Sequence, residues 1–553
     1  MAPASQLLSQ ERFDVLIVGA GIYGATLARE TALRGLRTAL IESGDFGAAT
    51  SANSLKIMHG GLRHLQRFDW RGLRESVRAR RRLLALAPHL VRPLAMVVPT
   101  QGIALRGRPI MAAALAVNDI MSRDRNRDVH AARRLPRAYT VERRAASILL
   151  PGLPEASYDG AAIWFDAIAE DTERLCLGFV QSAIAHGATA CNYVKGERLL
   201  RAHDQVIGVA ARDTLTGADF EVHASVIVDA TGPWCGRIEE WPLPVDATPR
   251  YWTRALNLYV PRPLFEGHAV GLAGRPGHHD SDALVHKGGR FFFFVPWRGG
   301  TLIGTEYRVA DRDANCIVTA NDLAEFLNEI NGILPSAQLR AADIALHHCG
   351  LMPIRAQSTA RDPSAELLRR TCVADSMPLA GVGGLIAVVG TKYTTAVESA
   401  RSVADLVQTR MGKLPSLPAS DPPLPGAEDW SEHPPASWRD SISDDGVRQR
   451  LWSRYGRSGS KVYESAGRDQ TLPASAVLEC EVIHAVRREM ARTLGDVVWR
   501  RTDLGARGEP APDALERCAD LLALEMRWDA SQRAAQLDAV RRESARRTVF
   551  ARL

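Results

Sequence analysis

The chain has 553 residues, more than a single hydrophobic core holds, so two to four domains are expected. Lys and Arg number 69 against 63 Asp and Glu; an excess of +6 is too mild for a dedicated nucleic-acid binder and leaves room only for local basic patches facing anionic lipid or substrate. The cysteines Cys176, Cys191, Cys235, Cys316, Cys349, Cys372, Cys480 and Cys518 show no C-x-x-C pair and no metal-ligand spacing, which reads as reduced thiols in a cytosolic protein without a metal site. No signal-peptide pattern opens the chain and no apolar run is long enough to span a bilayer, so membrane contact, if made, is peripheral.

Phe13 to Val18 reads as an apolar strand ending in Gly19-Ala20-Gly21-Ile22-Tyr23-Gly24. Ala25 to Arg34 has helical composition, Gly35 closes it, and a second strand, Thr38 to Ile41, stops at Glu42. This is the order of a dinucleotide-binding β-α-β unit. Gly19 makes the tight turn, Gly21 admits a pyrophosphate to the backbone, and Gly24 lets helix and strand pack closely. The free amides and positive dipole end of the helix then face the anion. Glu42 is expected to accept hydrogen bonds from an adenosine ribose.

The next segment, Ala48 to Leu65, is polar and punctuated by glycine. Thr50, Ser51 and Ser54 can hydrogen-bond phosphates or a ribityl chain, and His59-Gly60-Gly61 can bring backbone close to a flat ring; the plain alternative is a solvated loop. Taken together, Gly19 to Gly24, Ala49-Thr50-Ser51, Lys56 and His59-Gly60-Gly61-Leu62-Arg63 resemble the flavin-dependent glycerol-3-phosphate dehydrogenases, and the resemblance runs from about Phe13 to Gly505. It implies FAD as cofactor, with Lys56, His59, Gly60 and Leu62 beside it.

Trp70 to Leu86 is a helix dense in arginine and reads as a solvated face. Arg92 to Pro99 and Pro109 to Met121 offer apolar surface, either an interfacial patch, as the resemblance implies for bilayer and quinone, or a buried helix. Tyr158 to Asp166 reads as a strand pair bending at glycine, followed by a helix and a β-meander back to Ala230-Thr231-Gly232. A distant second glycine turn of this kind favours FAD over a nicotinamide. Residues from Tyr251 to Arg308 are rich in β formers and are expected to cover the flavin; the four phenylalanines from Phe291 read as sheet core. Gly384, Gly390, Lys392, Tyr393 and Thr394 repeat the strand-into-helix logic and are assigned to the flavin's pyrimidine edge. Pro415 to Pro435 reads as a linker, and the remainder as helical.

The expected fold is α/β: a Rossmann-like FAD-binding domain with an inserted antiparallel β-sheet substrate domain and an all-α C-terminal domain. Its FAD domain comprises 1–100, 158–240 and 351–414, with a cap or membrane-contact segment at 101–157 and the substrate sheet at 241–350. The linker is 415–435 and the helical domain 436–553. The resemblance implies oxidation of sn-glycerol 3-phosphate to dihydroxyacetone phosphate by hydride transfer to flavin N5, with electrons passed to a quinone. It points to Arg63 and Arg369 for the phosphate. Where the family's Gly-x-Arg-Pro motif carries another arginine, this chain has Gly350-Leu351-Met352-Pro353, and Arg355 is the candidate substitute. The family's lysine and histidine are absent from Thr253 to Asn257, where Arg254 keeps a cation; His59 is the candidate base. Met352 favours an alternative substrate, another hydroxy compound, a modified glycerol phosphate or an amine; a reading of a different class is a flavin-binding protein that docks at the membrane or a partner and has lost turnover. Peripheral contact with the inner face of the cell membrane and a homodimer complete the expected partners.

Overall fold

A computed structural model describes residues 4–102, 106–274, 291–312, 316–355, 367–466 and 470–548. Apolar side chains of Arg12–Val18 are buried on both faces, as a central parallel strand requires. Ile17 lies between Leu40 of Thr38–Glu42 and Val228 of Asp219–Asp229, and Val228 in turn pairs with Ile386 of Leu385–Val389. Thr189–Asn192 extends this parallel sheet at one side, and Cys372–Asp375 adds an antiparallel strand at the other. The helix Ile22–Leu33 packs on the sheet through a nearly continuous buried surface, and Gly35, at φ +75°, supplies the left-handed turn that ends it.

A second sheet has the order Leu346–Ile354, Tyr251–Val260, Gly300–Ala310, Phe291–Trp297, His268–Ala273, Val91–Thr100, Gly160–Ala169, Ile57–Met58. It is antiparallel except where His268–Ala273 runs beside Val91–Thr100. Three of these strands, Ile57–Met58, Val91–Thr100 and Gly160–Ala169, were expected in the FAD domain. Val91–Thr100 and Gly160–Ala169 instead pair with each other through ten registered positions, and Gly160–Ala169 is one straight strand, not a pair bent at glycine. Phe292 and Phe294 are fully buried sheet core.

The arginine-rich helix Trp70–Leu86 is not a solvated face. Arg80 is buried in an ion pair with Asp166, Arg82 is buried against Glu30 and Asp421, and Arg74 and Arg81 share Asp124. The stretch read as a linker is packed as well. Asp421 accepts from Arg29, Arg82 and Arg401, while Leu424 and Trp430 are buried. By contrast, Arg108–Met121 buries only Leu115 and leaves Ile110, Val117 and Ile120 exposed, the last at 67%. Among the described residues no helix is long and apolar enough to cross a membrane.

The C-terminal helices, chiefly Asp445–Tyr455, Glu479–Arg488, Pro512–Met526 and Ala530–Arg547, dock through buried charge. Arg501 donates to both oxygens of Asp45 at 2.7 Å, and Arg500 to one of them at 2.5 Å. Arg174 of the helix Thr172–Ala185 grips Glu489 with two bonds of 2.8 and 3.0 Å. Burial pushes the Glu489 carboxyl upward, but the Arg174 guanidinium more than reverses this and holds it at about 2.

Since the folded value lies below the unfolded one, the stability that Glu489 contributes is complete above pH 4.5 and is lost as pH falls toward 2. Glu489→Gln should cost about 3–5 kcal/mol by stranding a buried guanidinium. Denaturation followed between pH 3 and 7 should show the loss at neutral pH and a shallower acid decline in the variant.

Candidate active site

Four parallel strands end along one edge of the first sheet: Arg12–Val18 at Gly19, Thr38–Glu42, Asp219–Asp229 at Ala230, and Leu385–Val389 at Gly390. Ligands bind outside the carboxyl ends of such strands. There a cavity of about 1430 Å³ opens toward the second sheet. A drug-sized ligand needs roughly 300–1,000 Å³, so this space has room for a dinucleotide with a small molecule beside it.

Gly19, Gly21, Glu42, Thr50, Ser51, Ser54, His59, Leu62, Ala230, Thr231, Gly232, Gly390, Lys392, Tyr393 and Thr394 all line the cavity. Gly21 caps the helix Ile22–Leu33 without any side-chain hydrogen bond, which leaves the dipole end facing the space. A Cβ on Gly21 would lie 3.2 Å from Ser51 Oγ, inside the cradle. Ser51 Oγ accepts from the Ile22 amide at 3.0 Å and so joins the 48–54 loop to the glycine turn. Glu42 accepts from the amides of Ala20 (2.7 Å) and Gly44 (3.0 Å). Burial raises its proton affinity, and these amides oppose the rise.

At the other end, Thr394 Oγ1 accepts from the His59 amide at 3.1 Å, and Tyr393 Oη donates to the Thr172 carbonyl at 2.7 Å. The His59 imidazole is half-exposed within the cavity, 4.0 Å from Asp166. Enclosure by protein lowers its proton affinity, Asp166 opposes this, and Lys392 and Arg80 add to the lowering. Arg63 and Arg369 both line the cavity, as does Met352.

Several predicted residues lie elsewhere. Arg254 donates to the Ile317 carbonyl and to Asp322, both at 2.7 Å, behind the sheet, and does not reach the cavity. Arg355 follows the strand Leu346–Ile354, on which Met352 meets the cavity, and is exposed away from it. Lys56 is fully buried, bonded to the Ala52 carbonyl, Thr172 Oγ1 and Glu173, where it ties the cofactor loop to the helix Thr172–Ala185. Gly60 donates its amide to Asp166 and has no room for a Cβ against the Arg80 guanidinium. A Cβ on Gly384 would meet the Val206 carbonyl at 2.3 Å, and one on Gly24 the Gly19 carbonyl at 1.8 Å, so both glycines serve close packing.

Sequence reasoning missed three groups. Tyr23, inside the glycine motif, donates from Oη to the Lys392 carbonyl at 2.9 Å and so ties the first turn to the last. Asn257 and Thr305 meet across neighbouring strands at 2.8 Å on the cavity wall. His64 lines the cavity beside Lys392; its place next to Arg63 was the available signal. The glycine cradle, uncapped helix and long two-ended cavity fit a flavin dinucleotide.

The family model described as FAD dependent oxidoreductase matches residues 14–406, and the C-terminal domain of alpha-glycerophosphate oxidase matches 418–533. A glycerol-3-phosphate dehydrogenase of a Synechocystis species is 31% identical over 89% of this chain and 88% of its own length. Glycerol-3-phosphate dehydrogenase 2 of Mycobacterium tuberculosis is 29% identical over 96% of this chain and 88% of its own. Among solved structures, the glycerol-3-phosphate dehydrogenase of Bacillus halodurans complexed with FAD shares the fold with a TM-score of 0.70. It is 22% identical and covers 99% of this chain and 97% of its own.

Gly21→Val should give colourless protein by filling the diphosphate cradle, read as the flavin absorbance of the purified variant. A yellow, flavin-replete product would place the dinucleotide elsewhere.

Proposed function

Since the chain belongs to the FAD-dependent glycerol-3-phosphate dehydrogenase family, we propose that it oxidises sn-glycerol 3-phosphate to dihydroxyacetone phosphate and passes the electrons to a quinone. The chain is an FAD-dependent oxidoreductase. One observation carries the proposal: Arg63 and Arg369 line the same cavity as His59 and Lys392.

When bound, FAD supplies the hydride acceptor, its N5, for the carbinol hydrogen. The residues do the rest. Gly19, Gly21 and the N-terminus of Ile22–Leu33 hold the diphosphate, and Glu42 is placed for the ribose. Arg63 and Arg369 bind the substrate phosphate, where planar guanidinium forks suit two oxygens at once. His59, less ready to hold a proton than an ordinary imidazole, is the candidate base for the hydroxyl. The cavity mouth includes Phe68 and Trp70, which are exposed at 55% and 42%, together with Ile110 and Val117. This apolar rim suits a quinone and a peripheral membrane contact.

Met352 favours a second reading, a different hydroxy compound or a modified glycerol phosphate, because a thioether occupies the wall where the family motif carries a guanidinium.

Anaerobic addition of glycerol 3-phosphate should bleach the flavin of the purified protein, and an unchanged spectrum would rule the substrate out. Arg63→Ala should raise KM about 10- to 100-fold, the worth of a lost charge-assisted bond, while flavin content stays normal. Met352→Arg should tighten binding of a phosphorylated polyol about tenfold or more if the cradle lacks only a cation. Weaker or unchanged binding in a titration would favour the second reading.

A further inference from the structure

Tyr23 reaches from the first glycine turn into the last turn of the site. Its ring packs against Gly390, where a Cβ would lie 2.0 Å from Tyr23 Cε2, so only glycine fits beside it. The chain itself occupies the hydroxyl. Oη donates to the Lys392 carbonyl at 2.9 Å and accepts from Thr371 Oγ1 at 3.2 Å and from the Thr391 amide at 3.3 Å, which uses its one hydrogen and both lone pairs. A carbonyl can only accept, so the direction of these bonds is fixed. Thr371 Oγ1 also lies 2.7 Å from Ser399 Oγ, and since the threonine hydrogen goes to Tyr23, Ser399 is the donor there. The hydroxyls thus form a one-way row from Ser399 on the helix Ala396–Arg410, through Thr371 and Tyr23, to the backbone at Lys392.

That backbone leads into a second open helix end. Ala396–Arg410 starts at Thr395 without a side-chain cap. Tyr393 and Thr394 line the cavity, and among the described residues their amides have no acceptor. The Lys392 carbonyl and the Tyr393 N–H belong to one planar trans peptide and point in opposite directions. A bond from Tyr23 to the carbonyl therefore fixes the direction of the amide.

Taking the flavin's pyrimidine edge to lie at this turn, as the sequence assigns it, we infer that Tyr23 is a positioning residue that sets the flavin's reduction potential. By holding the Lys392–Tyr393 peptide it keeps the Tyr393 N–H trained on the pyrimidine ring. Two-electron reduction brings negative charge to that ring, and a donor already in place stabilises charge where it develops. Tyr23 itself gives up neither a proton nor an electron.

The test is Tyr23→Phe, which keeps the ring beside Gly390 and removes only the hydroxyl, studied as holoenzyme. The variant should retain flavin. Its midpoint potential, measured anaerobically against a reference dye with no substrate present, should fall. The equilibrium constant for two-electron reduction should drop about tenfold, the scale of one hydrogen bond to a charged acceptor, or about 30 mV. Thr371→Val leaves the phenol on the Lys392 carbonyl and should change that constant less than threefold. An equilibrium constant within threefold of wild type in Tyr23→Phe, even with a lower melting temperature, would make Tyr23 a packing tie and overturn the inference. A higher potential, a colourless variant, or an equal shift in Thr371→Val would also overturn it. The placement of the ring is read separately, in wild-type protein refilled with FAD carrying ¹³C at C2. A donor at the pyrimidine edge should move that signal downfield of free FAD, and Tyr23→Phe should bring it back. A wild-type signal at the free position would remove the placement, whereas a downfield signal unmoved in Tyr23→Phe would remove only the role of Tyr23.

Discussion

Everything at this site depends on four parallel strands stopping at one edge, where Gly21 gives a helix N-terminus no capping side chain and Ser51 alone reaches its first amide. An uncapped helix end is a cost in an ordinary fold, because its amides need acceptors. Here the cost is the binding device. On the proposed reading the oxygens of a diphosphate complete what the chain leaves open, and the glycines at 19 and 21 keep side chains out of that space. The second sheet then lines the far end of the same cavity, where the proposed reading puts the ring end of the dinucleotide and the substrate.

Around this open centre the chain spends its charges in pairs. Glu30, Asp45, Asp166, Asp421 and Glu489 are each held by one or more arginines from distant segments. A buried carboxylate with its guanidinium is a weak source of net stability but strongly penalises separation of the two elements. The consequence is a scaffold in which helices on both sides of the cavity, the segment 415–435 and the C-terminal helices are fixed in register with the cofactor loop.

How much of this was readable in advance differs residue by residue. The strand Phe13–Val18, its glycines and Glu42 were legible because each local preference agreed with the next, and the later turns at Ala230 and Gly390 repeated the pattern. Val91–Thr100 and Gly160–Ala169 were misplaced because an apolar run states that it is buried without stating in which sheet. The arginines of Trp70–Leu86 read as solvated since their acids, Asp124, Asp166 and Asp421, lie 40 or more residues away. Lys56 and Arg254 were assigned to the site through their positions in the family resemblance, and the fold uses both as internal ties. His64 was overlooked for the opposite reason. Its partner Lys392 stands 328 residues further along, and no spacing rule connects them.

The Asp45 clamp carries a consequence for how the molecule is made. The loop that follows Glu42 leaves the ribosome early, yet the guanidiniums that hold its carboxylate belong to residues 455 and 456 positions later. Until those two arginines are made, the guanidiniums that bury Asp45 are missing, so the turn after Glu42 takes its final setting only once the C-terminal helices dock.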